Sequence, residues 1–453
     1  MTDTRISVYV PSHNYGRFLS EAIDSVLRQT VDDWELIVID DGSTDDTSKV
    51  MQLYRGHPQI SLHRTEGIGL TAVCNFALKQ AKGEYVIRLD GDDVFDENIL
   101  LVLGNVLDRD PDLALVFPDY YLFDRFGEIF AQERRKRLYS SSHSFDMPPN
   151  GACTMVRAAV LKEIGGYRED LGAQDGLDLW TKVIERYKCA NVNLPLFYYR
   201  RHGDNLTTDT QRILNARRQI KMDAVKERLV AQQPIIGVIP CRRNFDFVPD
   251  LWNEKVGQQT LLDRVVAGCL GSSLFTHVVV SSDNPETEAA LARYKDRRLS
   301  FMLRDVQTTI RSASIVPVLE TIARKLDPEF NGMTVVRYLQ APFVAVDTIE
   351  ETAATLAWST SDSATGVEEI NSQAYRRTRH GLEALNRNGD FRSEADLIYR
   401  DVLTCFATRN RNFPTGSLMG KSTVSVIVPT AECFIIDSTD KLRIAHLMTG
   451  ETE

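Results

Sequence analysis

The stretch that most constrains the fold of this chain is Gly83–Asp96, which reads GEYVIRLDGDDVFD. Its first part, Glu84–Leu89, is rich in apolar and β-favouring residues and predicts a short strand emerging from a core. Three carboxylates, Asp90, Asp92 and Asp93, follow at the end of that strand. Carboxylates this close repel one another unless a positive charge lies among them, and a hard divalent cation that also binds phosphate oxygens is the usual solution.

A simpler interpretation of the same stretch is a solvated acidic turn. In that case Asp93 or Asp96 caps the helix predicted over Glu97–Leu107. Spacing alone leaves both interpretations open, so the rest of the chain has to decide between them.

Composition describes an ordinary globular protein with room for two or three domains. The chain has 453 residues, of which 43% are hydrophobic and 26% charged. Its formal net charge of -10 gives no indication of a nucleic-acid surface. The seven cysteines are scattered without metal-ligand spacing, which favours a reducing compartment over a disulfide framework or a zinc site.

No apolar run is long enough to span a bilayer, and the N-terminus leads directly into a predicted strand. We therefore expect a cytoplasmic protein without a membrane span. The basic run Arg134–Arg137 is more typical of a solvated face than of a lipid contact, but a peripheral position at the inner face of the membrane stays open.

The first half of the chain alternates predicted strands with predicted helices. This alternation predicts an α/β fold with a parallel, doubly wound sheet, and a second acidic strand end, Asp40-Asp41, falls on the same carboxyl edge as Asp90. The strands are predicted at Ile6–Val10, Trp34–Ile39, Ile60–His63 and Glu84–Leu89.

Five segments of this half resemble one family. They read PSHNYGRFLSEAIDSVLRQT, ELIVIDDGSTDDT, NFALKQAKGEYVIRLDGDD, GAQDGLDLW and YYRRHGDNLT. In this order they resemble an inverting family-2 glycosyltransferase with the GT-A fold, and the resemblance covers about residues 5–210. It implies a sugar transferase that uses a nucleotide-diphosphate donor together with Mn²⁺ or Mg²⁺.

The same resemblance implies a role for individual residues. Asp175 would be the catalytic base that deprotonates the acceptor hydroxyl. Asp92 would ligate the metal, and His202 would reach the metal or the diphosphate, supported by Arg200 and Arg201.

The nucleotide would contact a further group of residues. Pro11, Tyr15 and Asp40 would line the pocket of the base, and Asp90 would face the ribose or the ion. Many relatives have an arginine where this chain has Cys74, so a nucleotide-contacting arginine is absent or is supplied by Arg64. We expect Pro148–Val160 to form part of the acceptor side.

A charged helical stretch, Thr210–Gln232, separates the two halves and ends before Pro234. A second alternation then begins, with strands predicted at Ile235–Ile239, His277–Val280 and Thr334–Tyr338. We therefore predict a glycosyltransferase domain at 1–210, a helical connector at 211–233 and a second nucleotide-binding α/β domain at 234–453.

The second half resembles the cytidylyltransferases that make CMP-activated acidic sugars. The resemblance rests on IIGVIPCRR, VVVSSDNPE, RYLQAPFVAVDTIEETA and FIIDSTDKLRIAHL. It implies nucleotide contacts from four residues and a metal ligand. The nucleotide contacts are Arg242, Arg243, Lys255 and Gln340, and the metal ligand is Asp437.

This half departs from its family at the positions that hold phosphate. Cys241–Leu251 contains no glycine, although close approach of backbone N–H groups to a triphosphate requires one. Only Asp437 remains of two metal carboxylates, because Ile435 occupies the other position. We therefore expect weak or absent nucleotidyl transfer.

Three hypotheses follow. The first is a glycosyltransferase that uses a UDP-, GDP- or dTDP-type sugar and a glycan or lipid-linked acceptor of surface polysaccharide synthesis, with a cytidylyltransferase-like domain of doubtful activity. The second is a bifunctional enzyme that also activates a sugar with CTP. In the third, the second half is a binding module or forms a homodimer.

Overall fold

A computed structural model describes residues 4–135, 151–203, 210–310, 313–370, 374–385, 391–393 and 398–450. The chain divides into two compact units. The first comprises Met1–Ile220 and Asn386–Leu397, and the second comprises Lys221–Leu385 and Ile398–Glu453.

The first half of the chain alternates strands with helices, as its sequence predicts. Its strands are β1 (Ile6–Ser12), β2 (Trp34–Asp41), β3 (Ile60–Thr65), β4 (Tyr85–Arg88), β5 (Val94–Phe95), β6 (Leu113–Asp124), β7 (Ile129–Arg134), β8 (Met155–Arg157) and β9 (Lys188–Arg201). Its helices are α1 (Gly16–Leu27), α2 (Thr47–Gln52), α3 (Leu70–Gln80), α4 (Ile99–Arg109), α5 (Ala158–Glu163), α6 (Asp175–Ile184) and α7 (Thr210–Ala231).

The sheet of the first unit has the order β3-β2-β1-β4, in which neighbouring strands are parallel. It continues with β8, which is antiparallel to both of its neighbours, β4 and β6. The order reverses direction between β1 and β4, and open α/β sheets bind ligands at the carboxyl ends of strands at such a point. Ser12 pairs with Asp40, and Tyr9 pairs with Arg88. The sheet therefore brings Asp40 and Asp90 to one edge.

Helices cover both faces of this sheet. Successive side chains of β1 alternate between the faces, so Val8 packs in one buried cluster with Leu19 and Leu103. Tyr9 packs in the other with Val73 and Trp180. Because both faces are buried, the edge of the sheet is the natural place for polar residues.

The second half contains a further set of elements. Its strands are β10 (Ile235–Cys241), β11 (Lys255–Val256), β12 (Gln259–Thr260), β13 (His277–Ser282), β14 (Leu299–Leu303), β15 (Met333–Val336), β16 (Ser363–Glu369), β17 (Tyr375–Thr378), β18 (Gly381–Ala384), β19 (Phe391–Ser393), β20 (Tyr399–Arg409) and β21 (Thr423–Ile427). Its helices are α8 (Leu261–Gly271), α9 (Glu286–Leu291), α10 (Val316–Leu326), α11 (Val346–Trp358) and α12 (Thr439–Met448).

The second unit repeats the topology of the first. Its sheet has the order β14-β13-β10-β15-β20-β16-β21, parallel from β14 to β15 and antiparallel at β20. The predicted class, two α/β units with nucleotide-binding topology, is confirmed. The short strand β19 belongs to the first unit, where it pairs with β7.

Differences from the predicted elements are confined to their ends. The helix expected from Glu97 begins at Ile99, because the Asp96 carboxylate accepts from the Asn98 N–H and holds a turn there. Asp93 does not cap this helix: it accepts from the Arg200 N–H instead. No helix in the described part of the chain is long and apolar enough to cross a membrane.

Candidate functional site

Arg88, at the end of β4, joins two distant parts of the sequence in the first unit. Its guanidinium Nη1 donates to Asp175 Oδ2 at 2.6 Å, and its Nε lies 2.9 Å from Asp90 Oδ1. The Arg88 side chain is only 4% exposed, and a buried guanidinium is tolerated where carboxylates pair with it. Burial lowers the pKa of Arg88, but the charges of Asp175 and Asp90 outweigh it and raise that pKa well above its usual value.

Asp175 is the first residue of α6 and lies in a tightly enclosed position. Gln174 before it adopts a left-handed conformation with φ of 63°, and this turn directs the chain into the helix. Gly151 approaches from the other side: a Cβ there would lie 2.2 Å from Asp175 Oδ2 and 2.8 Å from Arg88 Nη2. The nearby Asp178 is engaged elsewhere, in an ion pair of 2.6 Å with Lys182.

Asp92 and His202 meet across the same edge of the sheet. His202 Nε2 lies 2.9 Å from Asp92 Oδ2, and both side chains are largely buried. The imidazole packs between the rings of Tyr15 and Phe18, with centroid distances of 5.7 and 5.2 Å. The two proposed metal residues are therefore neighbours, although 110 positions separate them in sequence.

Arg200 ties the end of β9 to the acidic turn. Its backbone N–H donates to Asp93 Oδ1 at 2.9 Å, and its Nε donates to the Asp92 carbonyl at 2.7 Å. Its guanidinium lies over the rings of Phe18 and Phe123, at 4.5 and 4.2 Å from their centroids. These contacts position His202, which follows Arg200 by two residues, beside Asp92.

The carboxylates of the acidic turn, together with Asp175, outnumber the guanidinium groups of Arg88 and Arg200 beside them. Burial raises the pKa of Asp90 to about 6, and it also raises the pKa of Asp93, where Asp92 and Asp90 add to the effect. Asp93 Oδ2 is buried and accepts no hydrogen bond from the residues the structure describes. A cation at this turn would relieve both effects.

The donor set fits a hard divalent cation in its chemistry, since it consists of carboxylates and one imidazole. His202 Nε2 and Asp92 Oδ2, 2.9 Å apart, are in direct hydrogen-bond contact with each other. Within the described ranges, however, no three His, Cys, Asp or Glu side chains are gathered closely enough to count as a metal cluster.

The residues expected around the nucleotide base lie at the ends of β1, β2 and β3. Asp40 is 1% exposed and accepts from the Ser43 N–H at 2.9 Å and from the Ser48 hydroxyl. Arg64 stands opposite Asp40 in the strand register, with Nη1 3.5 Å from Asp40 Oδ2. Pro11 lies at the end of β1, where its carbonyl would be 3.2 Å from a Cβ on Gly91.

Two other predicted positions have specific neighbours. Burial raises the pKa of Tyr15, and the charges of Asp92 and Asp90 raise it further. Cys74 occupies the position at which we noted an arginine in many relatives, and its Sγ lies 3.5 Å from Arg88 Nη1. Burial raises the pKa of this thiol to about 11, so it stays neutral. Of the expected acceptor segment, residues 148–150 lie outside the described ranges.

The predicted nucleotide residues of the second unit have their own neighbours. Arg242 covers the ring of Phe245, with 4.5 Å between its Cζ and the ring centroid. The Arg243 backbone N–H donates to Asp283 Oδ1, and Lys255 is exposed on a two-residue strand. The Gln340 carbonyl accepts from the Ile436 N–H at 2.8 Å.

Asp437 is exposed and pairs with Lys441 one turn further along, at 2.7 Å. The hydrogen bond from Lys441 lowers the pKa of Asp437. The side chain is thus paired locally at the start of α12. Its ion-pair partner is a lysine, whereas a metal site of two carboxylates would place a second acidic group beside it.

Comparison with known proteins assigns each half to a family. Residues 7–165 match Glycosyl transferase family 2, and residues 253–412 match Cytidylyltransferase. The N-terminal part of the chain thus matches a family 2 glycosyltransferase model and the C-terminal part a cytidylyltransferase model. The family resemblances expected from the sequence motifs are confirmed.

Curated relatives match the glycosyltransferase half. Chondroitin synthase of Escherichia coli is 25% identical over 201 residues, which cover 44% of this chain and 29% of the relative. Hyaluronan synthase of Pasteurella multocida is 28% identical over 209 residues, which cover 44% of this chain and 21% of the relative. The chain thus spans between a fifth and a third of the length of these relatives.

Among solved structures, S. aureus TarS 1-349 in complex with UDP-GlcNAc resembles the chain at 19% identity. The match covers 48% of this chain and 66% of that chain, with a TM-score of 0.41.

Sequence reasoning about the glycosyltransferase domain missed Arg88, Gly151 and Phe18. An arginine within an otherwise apolar strand was the available signal for Arg88, because a buried cation needs a carboxylate near it. Gly151 lies within the segment expected on the acceptor side, but its close approach to Asp175 could not be predicted from the sequence.

Proposed function

We propose that this protein transfers a sugar from a nucleoside-diphosphate donor to a hydroxyl group of a growing glycan, with inversion at the anomeric carbon. The observation that carries the proposal is the Arg88 bridge between Asp90, at the donor edge, and Asp175. Such a transfer needs a general base beside the donor, which would bind at the sheet edge that carries Asp40 and Asp90. The chondroitin and hyaluronan synthases among the relatives support a polysaccharide as the product.

In the proposed mechanism, Asp175 accepts the proton of the acceptor hydroxyl as that oxygen attacks the anomeric carbon. Arg88 fixes Asp175 Oδ2 at 2.6 Å, so the carboxylate has one orientation before the acceptor arrives. Such prior orientation reduces the entropy that the reaction must lose on the way to the transition state. Gly151 admits the carboxylate because it has no side chain.

A divalent cation, Mn²⁺ or Mg²⁺, would be held by Asp92 and His202, with Asp90 and Asp93 beside them. When bound, such an ion neutralises the charge that develops on the leaving diphosphate. Asp40, Arg64, Pro11 and Tyr15 would line the pocket of the nucleobase. Arg200 keeps the acidic turn and His202 together through its contacts with Asp92 and Asp93.

The test is Asp175→Asn in the full chain. Donor consumption is measured over a panel of UDP-, GDP- and dTDP-sugars with Mn²⁺, and donor affinity is measured by titration calorimetry. We expect turnover to fall by roughly 10²–10⁴-fold while affinity is retained, since the amide cannot take the proton. Asp170→Asn, an exposed carboxylate paired with Arg168, is the matched control and should keep normal turnover.

Near-normal turnover in Asp175→Asn would refute the assignment of the base. In the same experiment, Asp92→Asn should weaken donor binding only when Mn²⁺ is present. Donor binding that is unchanged by Asp92→Asn and by removal of Mn²⁺ would refute the metal assignment and leave the base assignment standing.

For the cytidylyltransferase domain, the inactive scaffold is favoured over the bifunctional enzyme. The argument is the local pairing of Asp437 with Lys441 and the glycine-free loop after β10. Release of pyrophosphate from CTP with an acidic sugar, lost in Asp437→Asn, would instead establish the bifunctional enzyme. Homodimerisation through this domain is tested by analytical ultracentrifugation of the full chain.

The proposed cellular setting is the cytoplasmic side of the membrane, with a glycan or lipid-linked acceptor. Comparison of sugar transfer to a lipid-linked acceptor with transfer to the same glycan free in solution tests the nature of the acceptor.

A further inference from the structure

The hairpin between β6 and β7 has an exposed apolar tip. Residues 125–130, which we name the hairpin tip, are six consecutive exposed positions with the sequence RFGEIF. Phe126 is 76% exposed, Ile129 53% and Phe130 56%. Scattered exposed apolar residues are common on protein surfaces, but three large ones within five positions make the tip a candidate contact surface.

The tip is rigid in its backbone, and Asp124 is the cause. Asp124 Oδ1 accepts from the N–H groups of Phe126 and Glu128, at 2.8 and 3.0 Å. Its backbone N–H donates to the Glu128 carbonyl at 3.0 Å, and Gly127 supplies the φ of +92° that closes the turn. The backbone that presents the apolar side chains is therefore organised by these bonds, which lowers the backbone entropy lost on binding.

The apolar groups surround the tip. Ile129 and Phe130 are adjacent in β7, so their side chains leave the strand on opposite faces. Phe126 lies on the turn, outside the strand register. A sugar ring that stacks on a protein needs apolar groups on one shared face, whereas an acyl layer contacts an inserted tip on all sides.

Cationic groups stand beside this patch. Arg125 lies over the ring of Phe126, with 4.7 Å from its Cζ to the ring centroid, and it is exposed. Arg201, at the end of β9 and in register with Asp124, is also exposed. Guanidinium groups bind lipid phosphate, and apolar tips with flanking arginines are typical of segments that lie in the headgroup boundary of a bilayer.

The tip also lies next to the candidate site. Asp124, at its base, is in register with Arg201, and His202 follows Arg201 in the chain. His202 in turn contacts Asp92. A surface that bound the tip would therefore also lie close to His202 and Asp92.

We propose that the hairpin tip inserts into the headgroup region of a membrane that contains anionic lipid. The inference deepens the peripheral membrane contact in the proposed function, and names the surface that makes it. It is tested without sugar transfer, so its failure leaves the proposed activity untouched.

The experiment is co-sedimentation of the full-length protein with vesicles of phosphatidylethanolamine, with and without phosphatidylglycerol. We expect binding to the vesicles that contain phosphatidylglycerol. Phe126→Ser and Phe130→Ser should each weaken it by about tenfold, because each removes one buried ring. Arg125→Glu should weaken binding to the anionic vesicles by roughly fivefold or more, and Glu128→Lys should strengthen it by a similar factor.

The matched control is Leu53→Ser, which removes an apolar side chain that is 77% exposed just after α2 and should leave binding unchanged. Thermal unfolding confirms that each variant stays folded, as expected for exposed positions. Absence of vesicle binding by the wild type, or equal binding by the tip variants, would overturn the proposal. It would also be overturned if the tip variants lost self-association in sedimentation velocity, because the tip would then be an interface between two copies.

Discussion

The two units share one strand order but differ in what they place at the carboxyl ends of the strands. The order β3-β2-β1-β4 of the first unit recurs as β14-β13-β10-β15 in the second. In the first, Asp40, Asp92 and Asp93 are buried at strand ends, and the buried cation Arg88 pairs with Asp90 and with Asp175 at the start of α6. In the second, Arg337 is likewise buried just after β15, but the predicted metal ligand Asp437 is exposed and pairs with Lys441.

This difference shows that the strand order fixes where a site can form, and that the burial of charged groups at that place decides whether one forms. Asp90 and Asp93 have raised pKa values because burial and neighbouring carboxylates oppose their ionisation. Asp437 has a lowered pKa because it is exposed and paired with Lys441. Buried and mutually repelling charges are a feature of functional sites, whereas local surface pairs are a feature of helix ends.

The largest effect that would test this contrast is expected from Arg88→Met. Removal of the guanidinium leaves Asp90 and Asp175, which are 28% and 13% exposed, without their cation. Because solvent reaches both carboxylates, we expect a cost near the lower end of the about 3–5 kcal/mol that breaking a buried pair costs. Calorimetric unfolding of the full chain measures the cost. Arg242→Met in the second unit, which loses only the contact with Phe245, is the control and should cost about 1 kcal/mol or less.

Arg88→Lys refines the same experiment. Lysine keeps the charge but lacks the planar fork that reaches two carboxylates, so it should recover part of the stability and less of the turnover. Equal unfolding temperatures for wild type, Arg88→Met and Arg242→Met would contradict the contrast between the units.

A smaller effect, on turnover alone, is expected from Gly151→Ala. The added Cβ would meet Asp175 Oδ2 at 2.2 Å, so the carboxylate has to move. Displacement of a catalytic group by about 1 Å can cost on the order of 10²-fold in rate. Gly268→Ala, in helix α8, is the control, because its new Cβ meets only Ile349 at an ordinary 3.7 Å. Unchanged kcat in Gly151→Ala would show that Asp175 does not need its present position.

In the second unit, Asp250 should matter for stability and not for transfer. Its Oδ1 accepts from Asn284 Nδ2 at 2.9 Å and from Trp252 Nε1 at 3.0 Å, which organises the loop after β10. Asp250→Ala should cost about 1–3 kcal/mol in the unfolding of this unit. Asp250→Asn keeps the acceptor and tolerates the left-handed φ of 49°, so it should be much closer to wild type. A change in donor turnover with either variant would contradict the separation of roles.

The smallest effect is expected from Asp437→Asn, which removes an exposed helix-end pair with Lys441. Such pairs contribute about 0.2–0.5 kcal/mol, so the unfolding temperature and donor turnover should both stay close to wild type. A large loss of CTP binding in this variant would show that Asp437 is a ligand after all and would remove the contrast between the units.

Much of the fold was predictable, because hydrophobic periodicity is a local property. The strands β1, β2 and β4 and the helices α1 and α3 follow from apolar runs and helical spacing. Their ends were less certain: Asn98 and Asp96 form a turn that shortens α4, and only their hydrogen bond decides it. The doubly wound order followed from the β/α alternation, since parallel strands require crossovers.

The candidate site was predictable in its members and not in its connections. Asp90, Asp92 and Asp175 were named from motifs, and their proposed roles await the experiments above. Pairing of Asp175 with Arg88 joins positions 87 residues apart, and no local pattern carries that information. Approach of Gly151 to Asp175 is likewise a matter of distances between segments that are remote in sequence.

The sequence by itself determined that this chain forms two α/β units and that acidic groups end the strands of the first. Tertiary structure alone decided which charges meet: Arg88 with Asp90 and Asp175, and His202 with Asp92. The physical reason is that periodicity and strand-end composition act over a few residues, whereas the energy of a buried charge depends on every group that folding brings within a few ångströms of it.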